Sequence, residues 1–176
     1  MPKTVHVIAA CSENLVIGRA ARLPWHIPED HAFFHAITAG HICILGRVSY
    51  ETWPQAHTAG RQPIVITRRA WPPAAANPGP APLVAHSLAA ALARAESLPG
   101  EIYICGGARL YQESLGLIEA HPLRLHLTLV HAHVPGDTYF PAWQHLAWRE
   151  LHRRESADAN FRYTFLTLAP ATQPEI

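Results

Sequence analysis

The chain has 176 residues, 49% of them hydrophobic and 15% charged, a balance that excludes global disorder and suits one globular domain spanning residues 1–176. Fourteen Lys and Arg offset thirteen Asp and Glu, leaving a net charge of +1. That argues against a nucleic-acid binder, and no apolar run reaches the roughly 18 residues a membrane span needs.

Thr4 to Ala10 reads as a first strand, β-branched and apolar, as when both sheet faces are covered. Met1 to Lys3 leads straight into it, so no signal peptide is expected. Cys11 to Ile27 holds Gly18, Pro24 and Trp25 without clear periodicity and is expected to be a long functional loop, the first place to seek a lid. Pro28 suits a first helical position, and Glu29 and Asp30 the first turn of a helix running to Thr38 before Gly40. A short strand, Ile42 to Leu45, meets Gly46 and a helix from Arg47 to about Trp53; Pro63 to Thr67 is the next strand. Pro72 to Pro82 holds five of the sixteen prolines and reads as a loop insertion. Ser87 can cap an Ala- and Leu-rich helix ending near Ser97. Glu101 to Cys105 is a strand that turns at Gly106 and Gly107 into a helix from Ala108 to about Leu117. Leu123 to Val130 alternates Leu with polar residues, and Phe161 to Leu168 is predicted as a sheet-edge strand. Strands alternating with helices imply an α/β sandwich on a mainly parallel sheet.

Cys11, Cys43 and Cys105 cannot all pair, and each lies in or beside an apolar stretch, favouring reduced, buried thiols in a cytoplasmic protein. The thirteen His are scattered without ligand spacing, and no metal site is expected.

Asp30 is the most informative residue. Phe33, Phe34 and Ile37 follow it at three, four and seven residues, so a carboxylate shares the apolar face of its helix. Position alone leaves two readings open: a solvated Asp complementing the helix dipole, or a carboxylate waiting in a ligand pocket for N–H donors. The turns at Leu45-Gly46-Arg47 and Cys105-Gly106-Gly107 can bring backbone amides to phosphate oxygens beyond strand ends. With Arg47 and the cluster Thr67-Arg68-Arg69 they favour a phosphorylated cofactor, although two glycines are often only tight-turn chemistry. Trp25 can be a packing residue as easily as a site residue, and Arg61 a solvated charge as easily as a carboxylate clamp.

Ile8-Ala9-Ala10, Val16-Ile17-Gly18, the run from Leu23 through Pro24, Trp25 and Pro28 to Asp30, Leu45-Gly46-Arg47 with Tyr50-Glu51, Gly60-Arg61, Ile104 to Tyr111 and Gly136 to Pro141 occur in order. Together they resemble dihydrofolate reductase of the bacterial type, from about Thr4 to Leu168. The resemblance is weakest through Arg69 to Gly100. It implies a single-domain three-layer sandwich: a twisted, mainly parallel sheet of about eight strands with an antiparallel C-terminal edge strand, flanked by about four helices. It further implies reduction of 7,8-dihydrofolate to tetrahydrofolate by NADPH, with hydride reaching pterin C6 and a proton N5, in support of thymidylate, purine and one-carbon metabolism.

Carried over by position, Asp30 binds the 2-amino and N3 edge of the pterin and governs N5 protonation through water that Trp25 helps position, with Leu23 beside them. Thr128 supports the carboxylate. Ile8, Phe34, Trp53, Cys105 and Tyr111 join Leu23 around the pterin and benzoyl ring, and Arg61 pairs with the glutamate α-carboxylate. Ala10, Ile17 and Gly18 approach the nicotinamide, while Gly46, Val48, Ser49, Gly106, Gly107, Ala108, Arg109 and Leu110 belong to the cofactor site. Arg47, Thr67 and Arg68 hold the 2′-phosphate that distinguishes NADPH from NADH. Asp137 supports the lid from a distance. Antifolates are implied as inhibitors, and a monomer as the assembly.

Four positions depart from the family pattern: Leu23 stands where Met is common, Ala108 replaces a third glycine, Cys105 a branched aliphatic, and Trp53 is bulkier than usual. None removes a charge the mechanism needs. Two alternatives stay open: a pyrimidine reductase of the riboflavin type, and a non-catalytic module binding folate or NADPH.

Overall fold

A computed structural model describes residues 1–71 and 79–175. Residues 72–78 of the predicted proline-rich insertion lie outside them. In chain order the described elements are β1 (Val5–Ser12), β2 (Val16–Gly18), α1 (Pro28–Thr38), β3 (Ile42–Gly46), α2 (Arg47–Glu51), β4 (Gln62–Ile66) and β5 (Leu83–Ala85). Next come α3 (Leu88–Glu96), β6 (Ile102–Ile104), α4 (Ala108–Leu115), β7 (Leu123–Val130), β8 (Thr138–Tyr139), β9 (Trp148–Ala157) and β10 (Arg162–Pro170).

Eight strands form one sheet in the order β5-β4-β3-β6-β1-β7-β10-β9. The first six run parallel; β10 then pairs antiparallel with β7, and β9 antiparallel with β10. Alternation along β1 sends Val5, Val7 and Cys11 to one face and His6, Ile8 and Ala10 to the other. On the first face α3 and α4 bury Leu88, Leu92, Leu110 and Leu115 against Val5, Val7, Ile42 and Ile104. α1 covers the second face, where Phe33 meets Phe165 with ring centroids 5.1 Å apart. This is the three-layer arrangement implied by the sequence. Ser87 caps α3 as expected, its Oγ accepting from the Ala90 N–H at 3.1 Å.

One expectation is corrected at the sheet edge. The strand predicted over Phe161 to Leu168 is β10, which lies one strand in, and β9 forms the edge. β9 reads Trp-Arg-Glu-Leu-His-Arg-Arg-Glu-Ser-Ala and is mostly exposed on both faces, so it carries no apolar alternation to read. Its contact with α1 positions the site. Glu29 accepts from Ser156 Oγ (2.5 Å), Tyr163 OH (2.9 Å) and Arg154 Nη1 (3.1 Å), bonds that hold its carboxyl below the usual range and pin the first turn of α1 to β9 and β10.

The segment after β1 is likewise more ordered than a plain loop. β2 pairs with β8 as a separate two-stranded sheet. Asp137 fastens the far side, its Oδ2 accepting from the Ala20 N–H at 2.9 Å and its own N–H donating to Gly18 O at 3.0 Å. Gly136 permits this approach, because a Cβ there would lie 2.2 Å from Val16 Cγ1 and 2.7 Å from Gly18 O.

Below α1 on the second face, His6 Nδ1 lies 2.9 Å from His126 Nε2, with Tyr103 stacked on His6 at 4.7 Å. Burial, then the neighbouring His126 and Arg124, pushes His6 down to about 3; burial and Arg124 push His126 to about 4. Below about pH 6.5 the unfolded chain takes up protons that these folded imidazoles refuse, so stability present above that pH is lost as pH falls toward 4 and 3. The limiting slope is about 1.4 kcal/mol per pH unit for each imidazole. Urea unfolding at pH 7 and pH 5 is expected to show this loss, and His126→Gln to reduce it. An equal loss in the variant would mean that other groups control acid stability.

Candidate active site

The chain passes from β1 to β3 and later returns through β6 into the position between them. The carboxyl ends of β1, β3 and β6 therefore face a common opening, where open α/β sheets bind ligands. It is a cleft of about 940 Å³, floored by Ile8, Ala10, Leu45 and Cys105, with Asp30 and Phe34 from α1 and Leu23 and Trp25 from the lid segment.

Asp30 is its chemical centre. Pro28 opens α1, so Asp30 is the third helical residue, and its side chain turns to the sheet. Thr128 Oγ1 donates to Asp30 Oδ1 at 2.7 Å. Thr128 is 2% exposed and pairs across from Ala10 on β1. Burial raises the Asp30 carboxyl above its ordinary pKa, against the opposing effect of the Thr128 bond. Of the two positions open to Asp30, the structure puts its carboxyl in the cleft and not in bulk solvent. Trp25 is also buried, and its Nε1 has no hydrogen-bond partner among the described residues.

Opposite lies a glycine floor. Gly106 has φ +125°, and a Cβ there would come within 3.3 Å of Ser49 Oγ and Tyr111 OH. A Cβ on Gly46 would meet only Gly107 N, at 3.9 Å. The Gly46 N–H donates to Gly106 O at 2.9 Å, and Tyr111 OH donates to Ile8 O at 2.8 Å, binding α2, α4 and β1 together. No side chain caps α4 at Gly107, so its first amides stand ready for an anion. A surface stripped of side chains at an uncapped helix start fits the diphosphate of a dinucleotide.

The profile of the dihydrofolate reductase family matches residues 4–169. This chain belongs to the dihydrofolate reductase family. It is 42% identical over 164 residues to the dihydrofolate reductase of Neisseria meningitidis serogroup B, covering 92% of this chain and 95% of that one. It is 36% identical over 169 residues to dihydrofolate reductase type 3 of Salmonella typhimurium, covering 94% and 97%. A solved dihydrofolate reductase from Enterococcus faecalis, complexed with NADP(H) and RAB-propyl, superposes with a TM-score of 0.81 at 28% identity, covering 96% of each chain.

Within this dihydrofolate reductase fold, Ile8, Ala10, Ile17, Gly18, Leu23, Trp25, Asp30, Phe34, Val48, Ser49, Trp53, Cys105, Gly106, Gly107 and Tyr111 line one cleft. Thr128 stands behind Asp30. Other residues singled out from the sequence, Gly46 among them, lie off the lining. Arg47 is 3.5 Å from Glu51, and Arg109 Nε donates to Glu113 at 2.9 Å. Thr67 is buried at the end of β4, its Oγ1 accepting from the Arg69 N–H at 3.1 Å, while Arg68 is exposed. Ala108 begins α4, and the Leu110 side chain is packed in the core, which leaves only its backbone for a ligand. Arg61 is 6% exposed, with Nε donating to Thr38 Oγ1 at 2.9 Å and its guanidinium 5.3 Å over the Trp53 ring.

Two features differ from the sequence reading. Cys105, expected as a buried thiol as well as a cleft residue, lines the cleft but is only half-buried, because it is the last residue before the glycine turn. His31, His35 and Thr138 line the cleft without having been singled out as site residues. The helical spacing of His31 and His35 on either side of Phe34 was the available signal.

Proposed function

We propose that this chain, acting as one domain over residues 1–176 and as a monomer, reduces 7,8-dihydrofolate to tetrahydrofolate with NADPH. The observation that carries the proposal is the buried Asp30 carboxylate, bound on one oxygen by Thr128, in the same cleft as the glycine floor. With Oδ1 already accepting one bond, Oδ2 and the remaining lone pairs face the cleft, a geometry suited to the paired N3 and 2-amino donors of a pterin. Each charge-assisted bond contributes roughly 1.5–3 kcal/mol.

When bound, NADPH supplies the hydride that reaches pterin C6. Gly46, Gly106 and Gly107, with the first amides of α4, would hold its diphosphate; Ala10, Ile17 and Gly18 would border the nicotinamide; Thr67 and Arg68 would take the 2′-phosphate. Asp30 sits at the 2-amino edge, so it promotes N5 protonation by favouring positive charge on the ring and through a water that the unpaired Trp25 Nε1 can hold. Ile8, Phe34 and Trp53 wall the ring system. The lid, strapped by β2, β8 and Asp137, excludes water during transfer. Inhibitors with the same 2-amino-pyrimidine edge are expected to compete at Asp30.

Removal of the supporting hydroxyl tests how the carboxylate is tuned. Thr128→Val should raise the Asp30 pKa further, move the pH–rate profile upward, and lower kcat/KM about 10-fold, as for a lost hydrogen bond to a charged group. An unchanged profile would mean that Thr128 does not tune Asp30. The activity itself is tested by following NADPH absorbance with purified protein and dihydrofolate. Oxidation of NADPH supports the proposal. Tight binding of both without oxidation would make the chain a binding module, and turnover only with a pyrimidine substrate would make it the related reductase.

A further inference from the structure

Glu29 stands next to Asp30 in the first turn of α1 but outside the cleft, and the proposed reduction gives it no part. Three donors from the outer strands hold it. Ser156 Oγ and Tyr163 OH donate to Oε1 at 2.5 and 2.9 Å, and Arg154 Nη1 donates to Oε2 at 3.1 Å. An exposed ion pair by itself contributes little, so three bonds converging on a half-exposed carboxylate call for another role.

The start of α1 has no cap of its own. Ile27, at the N-cap, offers no side-chain bond, and Pro28 has no N–H. Asp30 faces the sheet on a single side-chain hydrogen bond among the described residues, from Thr128, and burial works against its charge. A carboxylate so placed gains by swinging toward water unless the backbone beneath it is held. The outer strands supply that hold in register. Arg154 of β9 pairs with Phe165 of β10, and Phe165 with Thr128 of β7. Arg154 also lies 4.4 Å over the Phe165 ring, which meets Phe33, one turn after Glu29. One row across three strands thus grips Glu29 at one end and Asp30 at the other.

We infer that Glu29 is a positioning residue: anchored by Ser156, Tyr163 and Arg154, it fixes the first turn of α1 so that the Asp30 carboxylate stays on Thr128 and in the cleft. The inference rests on the dihydrofolate reading for its effect on rate, but not for its effect on Asp30 itself.

The groups facing Asp30 set what a titration should show. Glu29 and His31 come from its own helix, and β7 brings only the Thr128 hydroxyl. Around the cleft stand Arg22 and His26 of the lid segment, Glu51 of α2, Cys105 and Tyr111, which are the same in every variant below. The negative charge on Glu29 adds to burial in raising the Asp30 pKa, while His31 opposes it. Removing that charge alone lowers the Asp30 pKa slightly. Releasing the anchor as well lets water reach the carboxyl and lowers it further.

The test combines kcat/KM for dihydrofolate at pH 7.5 with a ¹³C NMR titration of the Asp30 carboxyl in the ligand-free chain. Glu29→Ala is expected to lower kcat/KM about 10-fold, within the roughly 10²-fold that a 1 Å misplacement can cost. Glu29→Gln, whose amide oxygen can still accept from Ser156 and Tyr163, should recover most of that loss. The double variant Ser156→Ala/Tyr163→Phe keeps the charge but not the anchor, and should lose as much rate as Glu29→Ala. Adding Glu29→Ala to it should cost less than about 2-fold more, as for groups acting through one contact. The Asp30 titration midpoint should be highest in wild type, slightly lower in Glu29→Gln and lowest in Glu29→Ala. Should Glu29→Ala not fold, the double variant against Glu29→Gln carries the same contrast in rate. A Glu29→Ala chain with the wild-type rate and Asp30 titration would overturn the inference, as would a Glu29→Gln variant or a double variant that breaks this order. A wild-type chain that reduces no dihydrofolate, with the order of Asp30 midpoints intact, would instead overturn the reductase reading and leave the anchor standing.

Discussion

Asp30→Asn is expected to lower kcat/KM for dihydrofolate at pH 7.5 by at least ~10²-fold, the scale on which a positioned proton-transfer group contributes. The amide keeps an oxygen for the Thr128 hydroxyl, so the packing around α1 survives. What it loses is the charge that pairs with two pterin donors and favours a proton on N5. Part of the loss should return near pH 5, where substrate can arrive already protonated. Stability should move the other way. Because burial raises the folded-state pKa of Asp30, ionising it opposes folding above that pKa and has no effect well below the unfolded value of about 3.9. The Asn variant should thus be no less stable than wild type at pH 7, separating lost chemistry from lost fold. A neutral-pH rate equal to wild type would contradict the assigned role.

Arg68→Ala is expected to raise KM for NADPH roughly 10- to 100-fold while changing KM for NADH less than about 2-fold, since charge-assisted bonds to a phosphate contribute roughly 1.5–3 kcal/mol. Arg68 and Arg69 are both exposed beyond β4, and it is Arg68 to which the family resemblance gives the phosphate contact. Arg47 lies 3.5 Å from Glu51, and Arg109 is bound to Glu113, whereas Arg68 is exposed two residues beyond β4. Thr67 is held in place by the Arg69 N–H, which fixes the turn that presents it. Steady-state kinetics with the two cofactors decide the matter, and equal effects on both would show that Arg68 does not reach the 2′-phosphate.

Much of this architecture was legible because its signals are local. Ser87 before an Ala- and Leu-rich run, Pro28 ahead of Glu29 and Asp30, and the β-branched runs of β1 and β4 each specify their element within a few residues. β9 was not legible, since an exposed edge strand with charges on both faces has no apolar period. Nor were β2 and β8, three and two residues long, whose pairing depends on Asp137 and the missing side chain of Gly136.

In the site, sequence alone left Asp30 undecided between solvent and pocket. Its meeting with Thr128, 98 residues later in the chain, decides the question, and no spacing rule carries that information. Arg61 was readable as either a solvated charge or a carboxylate clamp, but the protein bonds that nearly fill its fork were not legible. His31 and His35 went unremarked because a histidine pair on a helix is usually solvated. Their place beside Arg61 appears only when α1 is laid against the turn before β4.

The most direct measurement is a crystal structure of the chain with folate and NADP⁺. The Asp30 carboxylate is expected to lie about 2.6–3.0 Å from both pterin N3 and the 2-amino nitrogen, with Thr128 still bound to Oδ1 and the nicotinamide face against C6. A pterin seated elsewhere, with Asp30 touching only Thr128 and water, would contradict the account.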